Sequence, residues 1–375
     1  MDFGLSEEQE MLRAAARDFL ADRCPPSRVR QMLESAEGYS PELWREMAGL
    51  GWMGLAFPEE YGGSGMGFID LAILLEEMGR ACLPGPFFSS VVLGGMTILD
   101  AGSRDQKQQL LPPVARGESI ITLALTEPGG GYDAAAIATT ATPGGDGYTI
   151  SGTKLFVPDA HLADSLLCVA RAPGSSGEAG ISIFIVPAGT PGISLRPLAT
   201  ISGDRLFEVK FEAVRVPAAG RLGPPEGWPV VQRTLDRAAV ARSCDIVGAI
   251  QRVLEMTLDY ARERRQFNRP IGSFQVIQHY CAQMATDVDG ARFVTYQAAW
   301  RLGEGLPCRA DIAVAKVWTG EAYERVITLA HQIHGAIGCT IDHDLHLFTR
   351  RGKAAQLSFG SADYHRETVA QAIGL

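Results

Sequence analysis

The chain has 375 residues, of which 46% are hydrophobic, and its formal net charge is −9 at pH 7. This length allows two or three hydrophobic cores, and the mildly acidic balance argues against a nucleic-acid-binding protein, which normally carries a basic face. No apolar run approaches the roughly 18 residues that a membrane span needs. The seven cysteines are scattered, without a C-x-x-C pair or a His–Cys cluster at metal-ligand spacing. We therefore expect reduced, buried thiols, no metal site and a cytoplasmic protein.

The N-terminal third has the apolar spacing of helices, from residue 6 to about residue 117. Pro41 is well placed to open a helix that ends near Gly51, because proline suits the first helical turn and glycine the end. The run 68–82 is apolar nearly all round, which predicts a buried helix.

The hydrophobic period changes to two between about residues 119 and 217. Phe207, Val209 and Phe211 alternate with charged residues, as a half-buried strand requires. The rows 121–126 and 181–185 alternate in the same way, and clusters of proline and glycine separate the rows. This pattern predicts a β domain.

The segment 216–229 has the composition of a linker, and the helical period returns after it. Three long amphipathic helices and a shorter fourth predict a bundle. Strands flanked by runs of helices argue against βαβ alternation. The predicted fold is α+β and multidomain, with an N-terminal helical domain (1–117), a middle β-sheet or barrel domain (118–226) and a C-terminal four-helix bundle (227–375).

Three segments have the residue types of a ligand site. In LALTEPGGGYDAA (123–135) a strand runs into three glycines, which permit a close backbone approach, although an ordinary glycine-rich turn is an equal alternative. In ARERRQFNRPIGSFQ (261–275), Arg264 suits a pyrophosphate and Phe267 can cover a heterocycle. In QIHGAIG (332–338), two glycines again leave room for a ligand. The glycines of YGGSGMG (61–67) lack the dinucleotide spacing and predict only a loop.

Together with FPEEYGGSGMGF (57–68), these segments resemble the acyl-CoA dehydrogenase family, and the resemblance covers essentially the whole chain. It implies an FAD cofactor, an acyl-CoA substrate and electron-transfer flavoprotein as the electron acceptor. The implied reaction is α,β-desaturation, in which a base removes the α-proton while the β-hydrogen leaves as hydride to the flavin.

The resemblance also implies which residues contact the cofactor. The residues that would face or flank the flavin ring are Leu125, Thr126, Phe156, Val157 and Pro158. The residues that would reach the FAD of a neighbouring subunit are Arg264, Phe267 and Gln275, with Gln332, Gly335 and Ala336 around the adenosine diphosphate.

The sequence departs from the family at the catalytic base. Phe359 stands where the family usually has a glutamate before a Gly-Thr pair, and Ala238 stands where other members take their glutamate from the first bundle helix. Neither side chain can accept a proton. Asp245, Asp363 and His365 are candidate substitutes, although a polar helix face or a helix cap is the better explanation for each of them.

Two further departures lie near the flavin and the CoA arm. Pro158 replaces a threonine that often hydrogen-bonds the flavin ring, and proline offers neither a hydroxyl nor an N–H. Tyr132 replaces a small serine near the CoA arm, where its bulk narrows the path of the substrate.

Three functions are compatible with these departures. The first is the base-lacking subunit of a two-gene enzyme, resembling the bacterial heterotetrameric (α2β2) dehydrogenases of steroid side-chain degradation. The second is a self-sufficient homotetrameric dehydrogenase with an unrecognised base. The third is different chemistry or none, either a flavin monooxygenase on this fold or a scaffolding subunit.

Overall fold

The structure is a computed structural model of the chain, and it describes residues 4–375. By their contacts these residues form two compact units. The helical unit contains the described residues up to Gln31, then Gly67–Leu83 and Ala239–Leu375, and the sheet unit contains Met32–Met66 and Pro84–Ala238. Within the described part of the chain, no helix is both long and apolar enough to cross a membrane. The division into three domains at residues 117 and 226 stays a prediction.

The N-terminal third is helical, as the apolar spacing predicts. Ser6 caps the first helix through a hydrogen bond from the Gln9 backbone N–H to its side chain, and Pro41 opens the third helix. The helices of this region are α1 (Glu7–Arg23), α2 (Pro26–Glu34), α3 (Pro41–Gly49), α4 (Phe68–Arg80), α5 (Met96–Ala101) and α6 (Arg104–Ala115), with a π-helix at Phe88–Gly95.

The sheet unit is built on an eight-stranded sheet with the order β6-β7-β3-β2-β4-β5-β8, in which β1 adds to β4 in parallel. Its strands are β1 (Ile121–Ala124), β2 (Thr140–Gly144), β3 (Gly147–Pro158), β4 (Ser165–Arg171), β5 (Ile181–Pro187), β6 (Ile193–Leu198), β7 (Leu206–Pro217) and β8 (Arg221–Leu222). A separate hairpin consists of β9 (Arg265–Gln266) and β10 (Arg269–Pro270).

The strands differ in how many of their faces are buried. In β7, Phe207, Val209 and Phe211 are buried, as the alternation predicts. The four residues of β1 and the first four residues of β5 are instead buried on both faces of the strand, so the prediction of half-buried strands is wrong there. For β1 the cause is the π-helix, which packs so closely that a Cβ on Gly94 would lie 2.5 Å from the carbonyl oxygen of Ile121.

The C-terminal part has three long helices followed by two shorter ones, α7 (Trp228–Glu263), α8 (Gln275–Gly303), α9 (Arg309–His334), α10 (Leu345–Leu357) and α11 (Ala362–Ala372). Within the helical unit, Arg325 on α9 forms a bidentate ion pair with Asp287 on α8, with a shortest distance of 2.7 Å. Positive φ angles at Phe359 and Gly360 separate α10 from α11.

Candidate active site

The end of β1 and the end of β3 come together in the sheet unit. The backbone N–H of Leu155 donates to the carbonyl oxygen of Thr126 at 2.7 Å, and the hydroxyl of Thr122 donates to the carbonyl oxygen of Pro158 at 2.7 Å. The structure therefore brings the predicted pair at residues 125–126 beside the predicted wall at residues 156–158. The Leu125 and Val157 side chains are buried, so these two residues can offer a ligand mainly their backbone.

A buried ion pair fixes this junction, and the sequence reasoning missed it. Lys154 Nζ donates to Glu127 Oε1 at 2.6 Å and to the Leu125 carbonyl oxygen at 3.0 Å, and the Lys154 side chain is fully buried. Burial alone raises the pKa of the Glu127 carboxyl, but Lys154 and the amides of Ala138 and Thr139 bring it below its ordinary value. The sequence signal that could have indicated this ion pair was a single lysine, Lys154, in the middle of a strand. The ion pair fixes the position of Glu127, where the glycine turn begins.

Phe156 lies on a β-bulge and its side chain is 57% exposed. The pairing of β3 with β7 shifts register between Lys154 and Val157, and Phe156 has a φ of 55°. Bulky residues rarely adopt a left-handed backbone, and such strain persists where the surrounding structure imposes it, often at functional sites. The bulge thus presents an aromatic ring at the surface of the sheet unit.

The glycine turn that follows Glu127 is open. A Cβ on Gly129 or Gly130 would meet no atom within 4 Å, whereas Gly130 and Gly131 have φ angles of 70° and 90°. Tyr132 is half-buried next to this turn. The turn needs glycine for its backbone conformation, and it leaves space at its surface for a ligand.

In the helical unit, Arg264 directly precedes the β9–β10 hairpin, and Phe267 lies at its tip. The two residues at its tip, Phe267 and Asn268, have φ angles of 50° and 64°. A two-residue hairpin with a type I′ turn requires positive φ at both of these positions. The Phe267 side chain is 87% exposed, although its ring lies edge-on to Phe274 at 6.1 Å. The Arg264 side chain is exposed and forms no hydrogen bond or ion pair within the described residues. Both groups are available to a ligand or a partner.

The ends of α7 and α9 lie side by side. The rings of Tyr260 and His334 stack at 4.5 Å, and the Tyr260 hydroxyl donates to the His334 carbonyl oxygen at 3.4 Å. This contact places the segment that carries Arg264 next to the turn that begins at Gly335, whose φ is 62°. The predicted residues that are exposed on these segments are Gln275, Gln332, Gly335 and Ala336.

The two residues that the resemblance aligns with the family's base lie in apolar or backbone-bonded surroundings. Ala238 is fully buried in α7. Phe359 is partly buried in the α10–α11 connection with a φ of 56°. The connection is held by His365 Nε2, which donates to the Phe359 carbonyl oxygen at 2.9 Å. Lys316 Nζ donates to the carbonyl oxygens of Ala355 and Gln356 at 2.9 and 2.8 Å.

The three candidate substitute bases are already engaged. Asp245 is buried and lies 3.3 Å from Arg242 and 3.5 Å from Arg351. Asp363 is exposed and pairs with Arg366 at 2.5 Å. Burial lowers the pKa of His365 to about 4, and the Lys316 charge acts in the same direction. These contacts are those of structural groups, and they favour the helix-face and helix-cap explanations.

His365 makes the stability of the protein depend on pH. Its folded pKa of about 4 lies below the unfolded value of about 6.5. The unfolded state therefore binds more protons between these values, so this contribution is complete above pH 6.5 and is lost as the pH falls towards 4. We expect His365→Gln to make the free energy of unfolding depend less on pH between about pH 4 and 6.5, by at most about 3 kcal/mol. Urea unfolding at a series of pH values measures this free energy.

The exposed His279 offers a matched control for this experiment. His279→Gln should leave the pH dependence of the wild type unchanged. Parallel curves for wild type and His365→Gln would contradict the role given to His365.

Comparison with known proteins identifies the family. The chain matches the acyl-CoA dehydrogenase N-terminal domain over residues 6–118, the middle domain over residues 122–214 and the C-terminal domain over residues 225–374. The chain belongs to the acyl-CoA dehydrogenase family. The family is enzymatic and binds FAD, and the predicted succession of helical, β-sheet and helical parts is confirmed.

Individual proteins match the chain over nearly its whole length. A probable acyl-CoA dehydrogenase of Bacillus subtilis, YngJ, is 34% identical, and the match covers 99% of each protein. A chain from the crystal structure of the ChsE4–ChsE5 complex of Mycobacterium tuberculosis is 30% identical with a TM-score of 0.91, covering 100% of this chain and 99% of that one. PigA, solved with FAD and proline, is 26% identical with a TM-score of 0.93, covering 100% of both chains.

Proposed function

We propose that this family member is the base-lacking subunit of a heteromeric, cytoplasmic acyl-CoA dehydrogenase that resembles the bacterial steroid side-chain enzymes. The observation that carries the proposal is the pair of apolar residues, Phe359 and Ala238, at the two positions where the family has its glutamate. A related subunit supplies the base that removes the α-proton, and electron-transfer flavoprotein accepts the electrons. The similarity to a chain of the ChsE4–ChsE5 complex supports a heteromeric assembly.

The residues of the helical unit fit one half of a flavin dinucleotide site. The unpartnered guanidinium of Arg264 suits a pyrophosphate, since arginine presents a fork of donors to phosphate oxygens. The exposed ring of Phe267, held in a left-handed turn, offers an apolar face, and the open turn at Gly335 admits a close approach. We assign Gln275, Gln332 and Ala336 to the same half-site.

The residues of the sheet unit fit the other half of the flavin dinucleotide site less well. The backbone at Leu125 and Thr126, fixed by Lys154, would position the flavin ring, and Phe156 would cover one side of it. Pro158 cannot donate a hydrogen bond to the ring, and Tyr132 would crowd the CoA arm. FAD, when bound, supplies the acceptor for the β-hydrogen. This chain's own residues bind and orient, and none of them moves the α-proton.

Activity measurements with the partner test the proposal. Acyl-CoA-dependent reduction of an electron acceptor should require both subunits and should be lost when the partner's glutamate is replaced. Equal activity of this chain with and without the partner would contradict it.

Arg264→Ala tests the flavin half-site. Losing a charge-assisted contact should cost about 1.5–3 kcal/mol, which is about ten- to a hundredfold in cofactor affinity. We expect the assembled variant to copurify with far less FAD while it stays folded. Flavin absorbance per polypeptide, with circular dichroism as the measure of folding, provides the readout.

Arg262 provides the control, because it lies near the end of α7 and pairs with Asp259 at 3.1 Å. Arg262→Ala removes a similar surface charge and should retain full flavin occupancy. Unchanged occupancy in Arg264→Ala would show that Arg264 does not bind the cofactor.

A further inference from the structure

The helical unit contains a cleft that the proposed function does not use. It has a volume of about 400 Å³ and lies between α1, α2, the end of α4, α7 and the start of α10. None of its lining residues belongs to the segments that the proposed function assigns to the flavin or the substrate. The volume lies in the lower part of the range of about 300–1,000 Å³ that is typical of small-ligand pockets.

A close helix crossing beside the cleft explains why this space stays open. A Cβ on Gly79 of α4 would lie 2.1 Å from the carbonyl oxygen of Asp245. A Cβ on Gly248 of α7 would lie 1.8 Å from the carbonyl oxygen of Glu76. The two backbones approach so closely because neither glycine has a side chain. Since α4 ends at Arg80, directly after this crossing, while α7 continues well beyond it, the cleft occupies the space beside α7 that α4 no longer fills.

Two bidentate ion pairs hold the walls of the cleft. Arg17 on α1 donates to both carboxylate oxygens of Glu77 on α4, with a shortest distance of 2.6 Å. Arg80 on α4 donates to both carboxylate oxygens of Glu255 on α7, each at 2.6 Å. Each pair joins two of the helices that surround the cleft. The cleft is therefore formed before a ligand binds, which lowers the entropic cost of binding.

The floor of the cleft is apolar. The side chains that form it come from four helices, and they are Leu20, Val29, Met256, Leu347 and Phe348. Cys24 and Cys82 also line the cleft and are buried, as the sequence predicts, although that prediction is wrong at Cys339, which is exposed. Such a floor gains free energy from each methylene group that it removes from water, so it favours a hydrocarbon chain.

The rim of the cleft carries guanidinium donors. Arg17 uses Nε and Nη2 for Glu77, and Arg252 makes one contact, from Nη1 to Glu255 at 3.4 Å. Both arginine side chains are partly exposed. Within residues 4–375, Nη1 of Arg17 and Nη2 of Arg252 form no hydrogen bond, so both can donate to a group in the cleft. A carboxylate suits these donors, because charge-assisted hydrogen bonds are about twice as strong as neutral ones.

Most of the acidic groups around the cleft are already paired. Glu77 and Glu255 belong to the two bidentate pairs, and Asp344 pairs with Arg30 at 2.6 Å. Asp18 is exposed and forms no ion pair within the part of the chain that the structure describes, so water and salt screen its charge. A carboxylate in the cleft therefore meets direct guanidinium donors and a single solvated acid.

We propose that this cleft binds a medium-chain fatty acid, with the hydrocarbon chain on the apolar floor and the carboxylate against Arg17 and Arg252. The ligand is the free acid and not a thioester, and its binding involves no covalent step. The modest volume of the cleft favours a chain of medium length over a long one. The proposal does not depend on the proposed function, because the cleft lies outside the flavin half-site.

Isothermal titration calorimetry of the full-length protein with butyrate, hexanoate, octanoate and decanoate tests the proposal. Each methylene that enters the floor should tighten binding about fourfold, and the gain should stop once the cleft is full. Octan-1-ol has the same chain without the charge, and it should bind about tenfold more weakly than octanoate. The absence of saturable octanoate and decanoate binding, or an affinity that does not change with chain length, would overturn the proposal.

Arg252→Gln tests the recognition of the carboxylate. Glu255 keeps its bidentate contact with Arg80, so the variant should stay folded. It should weaken octanoate binding about tenfold or more and leave octan-1-ol binding unchanged. Arg252→Lys retains the positive charge and should restore part of the affinity, whereas Asp18→Asn removes a like charge and should tighten octanoate binding. An Arg252→Gln variant that binds octanoate as tightly as the wild type would contradict the proposed site.

Met256→Gln tests the floor without changing the rim. It keeps the length of the side chain but places an amide against the hydrocarbon chain, so the gain per methylene should become smaller. Arg262→Gln on the same helix is the matched control and should bind octanoate like the wild type. Arg264→Ala should also leave octanoate binding unchanged. Weaker binding in Arg264→Ala but not in Arg252→Gln would place the fatty acid at the proposed flavin site and would overturn the assignment to the cleft.

Discussion

Purified alone, the wild-type chain should not oxidise acyl-CoA thioesters at a measurable rate. General-base catalysis contributes about 10²–10⁴-fold, and neither Phe359 nor Ala238 can provide it. Asp245 and Asp363 are held in ion pairs, and His365 Nε2 donates to a backbone carbonyl, so none of the three replaces the missing base. Anaerobic mixing with acyl-CoA thioesters, followed by flavin absorbance, measures the rate.

Restoring the carboxylate at residue 359 should not be sufficient. In Phe359→Glu a carboxylate would stand in the α10–α11 connection, where residue 359 has a φ of 56°. Pro158 and Tyr132, which the proposed function places near the flavin and the CoA arm, remain in this variant, so we expect no turnover from it alone. Adding Pro158→Thr and Tyr132→Ser should recover part of the activity.

Two outcomes would contradict this prediction. Rapid, base-dependent bleaching of the flavin by an acyl-CoA with the isolated wild type would favour a self-sufficient enzyme. Substrate-dependent oxygen uptake without an electron acceptor would favour a monooxygenase, which needs no α-proton base.

The second prediction concerns the oligomer that this chain forms. This chain should form an α2β2 tetramer with a related subunit, and the tetramer should hold two FAD molecules for four polypeptides. The resemblance implies that each site combines sheet-domain contacts from one chain with bundle contacts from another. We expect the bundle half to keep Arg264 and Phe267 as cofactor contacts, and the sheet half to be weakened at Pro158 and Tyr132. A partner with a sound sheet half completes only the sites that this chain's bundle serves.

The bundle also offers an apolar surface for such an assembly. Phe293 on α8 is 52% exposed and Trp318 on α9 is 41% exposed, and Val276 and Val314 are exposed on the same helices. Obligate interfaces are large and rich in apolar and aromatic side chains. We therefore expect these helices to form the permanent contact between subunits.

Native mass spectrometry of the co-expressed pair, together with flavin quantitation, measures both the subunit composition and the stoichiometry. Arg264→Ala in this chain should remove the flavin from the pair without dissociating it. A stable homotetramer of this chain that holds four FAD molecules would show that Pro158 and Tyr132 are ordinary variation within the family.

The sequence by itself determined the succession of helical, β and helical parts, because the hydrophobic period reports which face of each element is buried. It placed Phe207, Val209 and Phe211 in the core, and it was sufficient to recognise the family, whereas the absence of a catalytic base stays a prediction. It was less reliable for β1 and β5, because a strand that is covered on both faces carries no obligatory alternation.

Only the tertiary structure decided how distant residues meet. The Lys154–Glu127 ion pair, the bulge that exposes Phe156 and the Tyr260–His334 stack depend on strand register and helix packing, which no local pattern encodes. Local sequence thus specified the elements and the motifs, while packing specified the contacts that give individual side chains their chemistry.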